Sequence, residues 1–325
     1  MKHLTIVVPN GENNLSSITG TYEIFSRANL YWKAATKQEL FFIQLAGVVR
    51  NVDFNAGLFS VNTHTTIADI TKTDLIVIPS LNHNYELALK GNESLVAWLQ
   101  QQYKMGAEIA TICTGTFLLA ASGLIDGRVC STHWSVAENF RLMFPKVLLQ
   151  TDLLITDEKG IYTNGGAYSF LNLILYLVEK YYDRQTAIFC AKVFQIEINR
   201  STQSEFTIFN GQKKHEDEIV KQAQTYIENN PECKITIGDL SSKFNVGRRN
   251  FDRRFIKATG NTPIEYAQRV KIEMAKKAFE TSRKTINEVM YEVGYSDVKA
   301  FREVFRKYTG LSPLDYKGKY NKTLQ

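Results

Sequence analysis

Phe251-Asp-Arg-Arg-Phe-Ile-Lys-Ala-Thr-Gly-Asn-Thr-Pro-Ile-Glu-Tyr266 is written a second time as Phe301-Arg-Glu-Val-Phe-Arg-Lys-Tyr-Thr-Gly-Leu-Ser-Pro-Leu-Asp-Tyr316. The copies keep one constant offset, and Phe, Phe, Lys, Thr, Gly, Pro and Tyr stand at matching places. A doubled signal at fixed spacing marks one supersecondary unit used twice. In each copy two phenylalanines lie four residues apart, Phe251 with Phe255 and Phe301 with Phe305, so both rings share one buried face of a helix. Gly260 and Gly310 then end the helix, and Pro263 and Pro313 bar its continuation.

A further amphipathic helix precedes each copy. Ile237, Leu240 and Phe244 mark the first, and Ile286, Val289, Met290 and Val293 the second. The short connections Asn245-Val-Gly and Gly294-Tyr-Ser suit the tight turn of a helix-turn-helix, whose second helix enters the DNA major groove. The run from Val293 to Tyr316 resembles the signature of AraC/XylS-type regulators. Those carry two helix-turn-helix units joined by a long helix, here expected from Pro263 to about Thr281. The resemblance covers roughly the last third of the chain.

Charge divides the chain in the same way. Its 325 residues hold 39 Lys+Arg and 33 Asp+Glu, of which 23 and 15 lie from residue 213 onward and 16 and 18 before it. A basic module joined to a slightly acidic one is the split expected when only one half meets phosphate.

The preceding two hundred residues read as alternating strands and helices. Leu4 to Pro9 is a short buried strand, and Leu15 to Asn29 a helix with Ile18, Tyr22 and Phe25 together on one side. Strands follow at Leu40 to Val48 and Thr73 to Pro79, then a helix from Ser94 to Tyr103. Ala107 to Cys113 is a strand entering a sharp turn, and Gly115 to Ser122 the helix leaving it. Shorter strands fill Leu148 to Asn164, with a turn at Asp157-Glu-Lys-Gly160, and Gly165-Gly166 opens an apolar helix to about Tyr182. Elements of these lengths predict an α/β domain with a mostly parallel sheet, followed by an all-α domain with two helix-turn-helix units. The expected limits are 1–200 for the first domain, 201–213 for a polar linker and 214–325 for the second. A helix from Glu216 to Asn229 opens the latter.

No apolar run is long enough to span a membrane, and the N-terminus enters a strand at once, without the pattern of a signal peptide. Cysteines 113, 130, 190 and 233 form neither a CxxC pair nor a zinc pattern, so no metal or other cofactor is expected. The reading is a cytoplasmic protein.

Strand, Cys-Thr-Gly, helix is the geometry of a nucleophile elbow, in which the following helix N-terminus favours a negative charge on the cysteine. With Thr111 to Gly127 and Ser131-Thr-His-Trp134, residues 1–200 look like the ThiJ/PfpI branch of the class I glutamine-amidotransferase-like superfamily. They are more closely similar to GlxA-like regulators, in which such a domain precedes an AraC-type one. Enzymes of that branch place His after the elbow cysteine, an acid beside it and Gly-Gly after the neighbouring strand. Here those places hold Thr114, Ser17 and Ser80-Leu81. A thiol enzyme needs a base, an orienting group and an oxyanion site together, so no enzymatic turnover is expected. Cys113, Thr114, Ser80 and His133 are instead expected to line a small-molecule site, because ligands in open α/β sheets bind outside the strand C-termini. A Cys-dependent hydrolase or amidase, and a redox sensor acting through Cys113, are the alternatives.

In the recognition helices the Phe pairs fix the inner side, leaving Arg248, Arg249, Asp252 and Arg253 outward in the first and Lys299, Arg302 and Glu303 in the second. Arg pairs bidentately with guanine, and Asp or Glu accepts from cytosine. Lys257, Arg306 and Lys307 are assigned to phosphates. The expected partners are double-stranded DNA, a small-molecule effector and RNA polymerase, with homodimerisation through the first domain and no membrane.

Overall fold

Leu4, Ile6 and Val8 point to one side of the first strand and Val7 to the other, and all four are fully buried, so this strand must be covered on both faces. The computed structural model, which describes residues 1–82, 84–198, 202–213 and 215–321, shows how. In chain order come β1 (Lys2–Val8), α1 (Leu15–Thr36), β2 (Phe41–Gly47), the hairpin of β3 (Asn51–Phe54) and β4 (Phe59–Asn62), β5 (Thr65–Thr66) and β6 (Leu75–Ile78). Then follow α2 (Tyr85–Lys90), α3 (Glu93–Lys104), β7 (Glu108–Ile112), a 3-10 turn at Cys113–Gly115, α4 (Thr116–Ala121) and β8 (Val129–Cys130). The first unit closes with α5 (Ala137–Met143), β9 (Leu148–Leu149), β10 (Ile155–Glu158), β11 (Ile161–Asn164), α6 (Phe170–Tyr181) and α7 (Arg184–Phe194).

Among the described residues a seven-stranded sheet runs in the order β10-β11-β7-β6-β1-β2-β5. Only β10 is antiparallel, joined to β11 by a tight turn whose Lys159 and Gly160 both take positive φ. One face packs on α1, α6 and α7 through Phe25, Phe41, Leu173, Ile174 and Leu177. The other packs on α3, α4 and α5 through Leu95, Leu99, Phe117, Leu118 and Phe140. This is the doubly covered, mostly parallel α/β architecture that the alternating pattern implies.

The expected elements recur with shifted ends. Helix α1 runs on to Thr36, where Lys37 closes it in the left-handed conformation. Tyr22 is not on its inner side: it is 38% exposed, and the buried stripe is Ser17, Ile18, Thr21, Ile24, Phe25 and Ala28. Thr21 is small and polar, but its hydroxyl is satisfied by Ser17 O, which lets the stripe pass through it rather than through the aromatic beside it. The β3–β4 hairpin and helices α2, α5 and α7 add to the expected elements.

The second unit holds α8 (Glu218–Asn229), α9 (Ile237–Lys243), α10 (Arg248–Thr259), α11 (Pro263–Thr281), α12 (Ile286–Glu292), α13 (Val298–Thr309) and α14 (Pro313–Tyr320). The repeat is visible as two small cores. Phe251, Phe255, Tyr266 and Leu240 close the first, and Phe301, Phe305, Tyr316, Val289 and Met290 the second. Helix α11 serves both, giving Tyr266, Ala267 and Val270 to one and Ile272, Ala275 and Phe279 to the other. Gly260 (φ +69°) and Gly310 (φ +75°) end the two recognition helices in the left-handed conformation. Pro263 and Pro313 do more than stop a helix. Each sits in the first turn of the next one, capped by Thr262 or Ser312. Even the anchoring tyrosines match: Tyr266 donates to Glu228 and Tyr316 to Glu280, both at 2.6 Å.

The compact units are Met1–Gln203 and Ser204–Gln325. Of the stretch expected as linker, residue 201 lies outside the described residues, Thr202 and Gln203 are built into the first unit, and Ser204 onward is built into the second.

Candidate functional site

The sheet order reverses direction between β1 and β6, and the strand ends around that point bring Ser80 and Cys113 together. Cys113 turns the chain with φ +53°, a conformation costing a non-glycine residue about 1–3 kcal/mol. The turn is held from outside, because the Cys113 carbonyl accepts from Thr132 Oγ1 (2.9 Å) and Thr116 Oγ1 (3.0 Å). It is also held from below. A Cβ on Gly115 would lie 2.4 Å from Pro79 O, so only glycine lets α4 start this close to β6.

Three of the four proposed ligand residues meet here. Thr114 donates to Leu81 O (2.7 Å), and its hydroxyl shares a 2.8 Å bond with Ser80. Since Thr114 has only one proton, Ser80 is the donor to it. The Ser80 and Thr114 hydroxyls and the Thr114 and His133 backbone N–H groups surround the Cys113 thiol and act to lower its pKa. Burial nonetheless wins: Cys113 is only 4% exposed, and desolvation raises its thiol above the ordinary value against those hydrogen bonds. With the hydroxyl protons of Ser80 and Thr114 lying on oxygen acceptors, the backbone N–H groups of Thr114 and His133 are the donors left to the sulfur.

The fourth residue arrives only by its backbone. The His133 ring caps the turn after it, Nδ1 accepting from Ser135 N–H (3.2 Å) and bonding to Ser135 Oγ (2.7 Å). Burial lowers its pKa, which favours the neutral ring. Ser17 is at the elbow too, but its hydroxyl donates to Asn14 O (2.7 Å) and accepts from Ser80 N–H (3.2 Å). The amide that would be one oxyanion donor is therefore already used. Sequence reasoning missed Asn13, whose amide donates to Pro9 O and Gly11 O while its buried Oδ1 finds no donor among the described residues. The neighbouring Gly11, with φ +87°, was the available signal for a special turn there.

On α10, Arg248, Arg249, Arg253 and Lys257 are exposed, and Arg253 donates to Asn250 (3.1 Å). Asp252 stands apart from them: it is half-buried, with one carboxylate oxygen enclosed and unpartnered among the described residues. Arg254 faces the other way, forking onto Asp217 at the start of α8 with two 2.7 Å bonds. On α13, Lys299, Arg302, Glu303, Arg306 and Lys307 are all exposed, and Asp297 caps the helix through Ala300 N–H. Both helices thus present a basic outer face on a fixed aromatic back.

Residues 5–180 match the DJ-1/PfpI family, more than half of the chain. The chain belongs to the DJ-1/PfpI family. Residues 240–319 match a helix-turn-helix domain, so this member carries an AraC-type module behind the family domain. It is similar to the HTH-type transcriptional regulator GbdR of Pseudomonas aeruginosa, 27% identical over 224 residues, 68% of this chain and 60% of the relative. The match thus spans less than two thirds of GbdR. The HTH-type transcriptional regulator CdhR of the same organism is 23% identical over 259 residues, 78% of this chain and 75% of that one. Among solved structures, a ThiJ/PfpI family protein from Pseudomonas syringae shares the fold, with a TM-score of 0.51 and 15% identity over 75% of this chain and 89% of its own.

This family member also has a cavity of about 510 Å³ away from the elbow, lined by residues of β10, α6 and α7. Its charges are largely spent on one another. Lys180 (2.7 Å) and Tyr176 (2.6 Å) both bind Asp157, and Arg184 binds Glu179 (2.7 Å). None of the described helices is long and apolar enough to cross a membrane.

Proposed function

We propose that this chain is a sequence-specific DNA-binding transcription regulator, and that its first domain senses a small ligand in the elbow crevice and pairs with a second copy. The observation that carries this reading is the repeated α9–α10 and α12–α13 pair, each with an aromatic back and an outward row of Arg and Lys. Arg248, Arg249, Arg253, Lys299, Arg302 and Glu303 are the base readers, with Asp252 a narrower contributor through its free edge. Lys257, Arg306 and Lys307 hold phosphates. The sensor occupies residues 1–200, the connection 201–213 and the DNA-binding domain 214–325. The protein works in the cytoplasm and acts on RNA polymerase at its target sites.

Cys113, Thr114, Ser80 and the His133 backbone form the sensor's floor rather than a catalytic set. A buried protonated thiol, a histidine turned to Ser135 and a Ser80 amide bound to Ser17 weigh against both hydrolysis and peroxide sensing. Genomic DNA captured by the protein and then footprinted tests the reading. The expected pattern is two protected major-groove segments centred roughly 34–36 Å apart on one face. Absence of any protected site at moderate salt refutes it, and multiple-turnover hydrolysis that vanishes in Cys113→Ser promotes the enzyme instead.

A further inference from the structure

Inside the second unit the two helix-turn-helix pairs meet at a close contact. Gly294, in the turn between α12 and α13, takes φ +73°, and a Cβ there would lie 2.1 Å from the carbonyl oxygen of Glu232, just ahead of α9. The same Cβ would lie 2.8 Å from Nζ of Lys271 on α11. The turn is therefore seated against backbone, with an ammonium beside it and no room for a side chain. Each side of the contact has its own backbone bonds. Gly294 N–H donates to Tyr291 O and Tyr295 N–H to Met290 O, both at 3.0 Å, and Cys233 N–H donates to Asn230 O at 3.2 Å.

Lys271 is the odd residue here. It is only 8% exposed, and among the described residues its ammonium has no hydrogen-bond or ion-pair partner, only the face of Tyr295 at 5.3 Å. A buried cation without a counter-charge is costly. Burial accordingly lowers its pKa, while the Cys233 sulfur and then the Glu232 carboxylate pull the other way. Cys233 is exposed and free, its thiol donating towards Glu232 Oε1 at 3.6 Å, whereas the other three cysteines are buried. An accessible thiol thus stands beside a buried ammonium that lacks an anion. Access together with nearby positive charge marks a modification site rather than a structural cysteine.

We infer that Cys233 is a site of reversible modification by a small disulfide bearing carboxylates, and that the adduct loosens the contact between the two helix-turn-helix pairs. In the exchange the Cys233 thiol gives up its proton, and its sulfur bonds to one sulfur of the R–S–S–R reagent. The old S–S bond breaks, and the departing R–S⁻ takes the proton, so no further oxidant is needed. A carboxylate of the bound half then supplies the anion that Lys271 lacks. Exposed Lys234 adds a pull from the solvent side. Since the Gly294 turn leaves no space for even one added carbon, the carboxylate reaches Lys271 by parting Glu232 from the turn. This regulation rests on the regulator reading for its purpose, and its test makes no use of DNA.

The test uses the full chain, with oxidised glutathione as the anionic reagent and hydroxyethyl disulfide as the neutral one, and adducts located by peptide mass spectrometry. Cys233 should carry the adduct, and Cys233→Ser should lose it. Lys271→Met keeps the stem and removes the charge. It should slow the glutathione reaction about fivefold relative to the neutral one, the effect of a single charge about 4 Å away in water-like surroundings. Lys234→Met should change that ratio less. In the wild type the preference for the anionic reagent should fade as salt is raised, which tests the charge even if the Lys271 variant does not fold. An equal preference in wild type and Lys271→Met, or one indifferent to salt, overturns the site. Hydrogen exchange then reads the contact: the adduct should speed exchange at Gly294 and Tyr295 by about fivefold or more, and dithiothreitol should restore it. Unchanged exchange in the adduct overturns the loosening. A missing DNA footprint, with both results as expected, would strike the regulator reading alone.

Discussion

Phe305→Ala should unfold one half of the DNA-binding domain and spare the other. Phe305 is fully buried and meets Phe301 at 5.8 Å, Phe279 at 5.7 Å and Tyr316 at 5.5 Å, the last two edge-on. Truncating such a ring costs about 3–5 kcal/mol, and each oriented aromatic pair accounts for about 0.5–1.5 kcal/mol of that. Domain stabilities run to about 5–15 kcal/mol, so the loss consumes much of what holds this small core. Phe251, Phe255 and Tyr266 belong to the other core and keep all their neighbours. Hydrogen exchange of α12 and α13 amides should therefore accelerate by about two to three and a half powers of ten, while α9 and α10 change by less than about tenfold. The DNA footprint should shrink to one segment. Equal acceleration in α9 and α10 would show a single cooperative core and refute the argument, as would a change in α13 below about tenfold.

Four further outcomes can be checked. Arg249→Ala or Arg253→Ala should relax base choice within one footprint segment by about 1–3 kcal/mol, whereas Lys307→Ala should weaken all sequences alike and flatten the salt dependence; uniform losses from both kinds of change would undo the assignment of readers. In mass-spectrometric alkylation at neutral pH, exposed Cys233 should label well before Cys113, whose reaction should rise only as pH climbs above the ordinary thiol range, and early labelling of Cys113 would contradict its burial. Gly115→Ala should destabilise the first unit by about 1–3 kcal/mol in urea unfolding, and a neutral result would mean that the contact with Pro79 O relaxes freely. Burial alone would raise the Asp157 carboxyl, but hydrogen bonds from Lys180 and Tyr176 take it below its usual value. Its contribution is thus present above the ordinary carboxylate range and is lost as pH falls through the depressed value, so Asp157→Asn should flatten that part of the stability curve; an unchanged acid limb counts against it.

The helical domain was readable in the sequence because its decisive signals are local. Phe251 and Phe255 define a helix face, Gly260 its end and Pro263 the next start, within one short stretch and then again. The parallel strands were readable for the same reason, as β-branched runs bounded by turns. Tyr22 shares the helical spacing of Ile18 and Phe25 yet is exposed, while Thr21 took the inner position through a hydroxyl bond that hydropathy does not register. Helix α7 and the β3–β4 hairpin carry weaker local patterns and depend on what they pack against.

The elbow divides in the same way. That Cys113 sits on a strand-to-helix turn, beside Ser80 and without a histidine after it, follows from residue order. The direction in which each hydroxyl proton points does not, nor does the turning of His133 towards Ser135 or the binding of the Ser80 amide by Ser17. Those depend on groups brought together from distant parts of the chain. The connection between the units is the clearest case. Polar composition makes Ser201 to Lys213 look like a loose linker, and only the tertiary structure sets Gln203 behind Thr132 and Phe209 against Glu273 and Tyr266, because hydrogen bonding and ring packing across the fold satisfy what the local sequence leaves open.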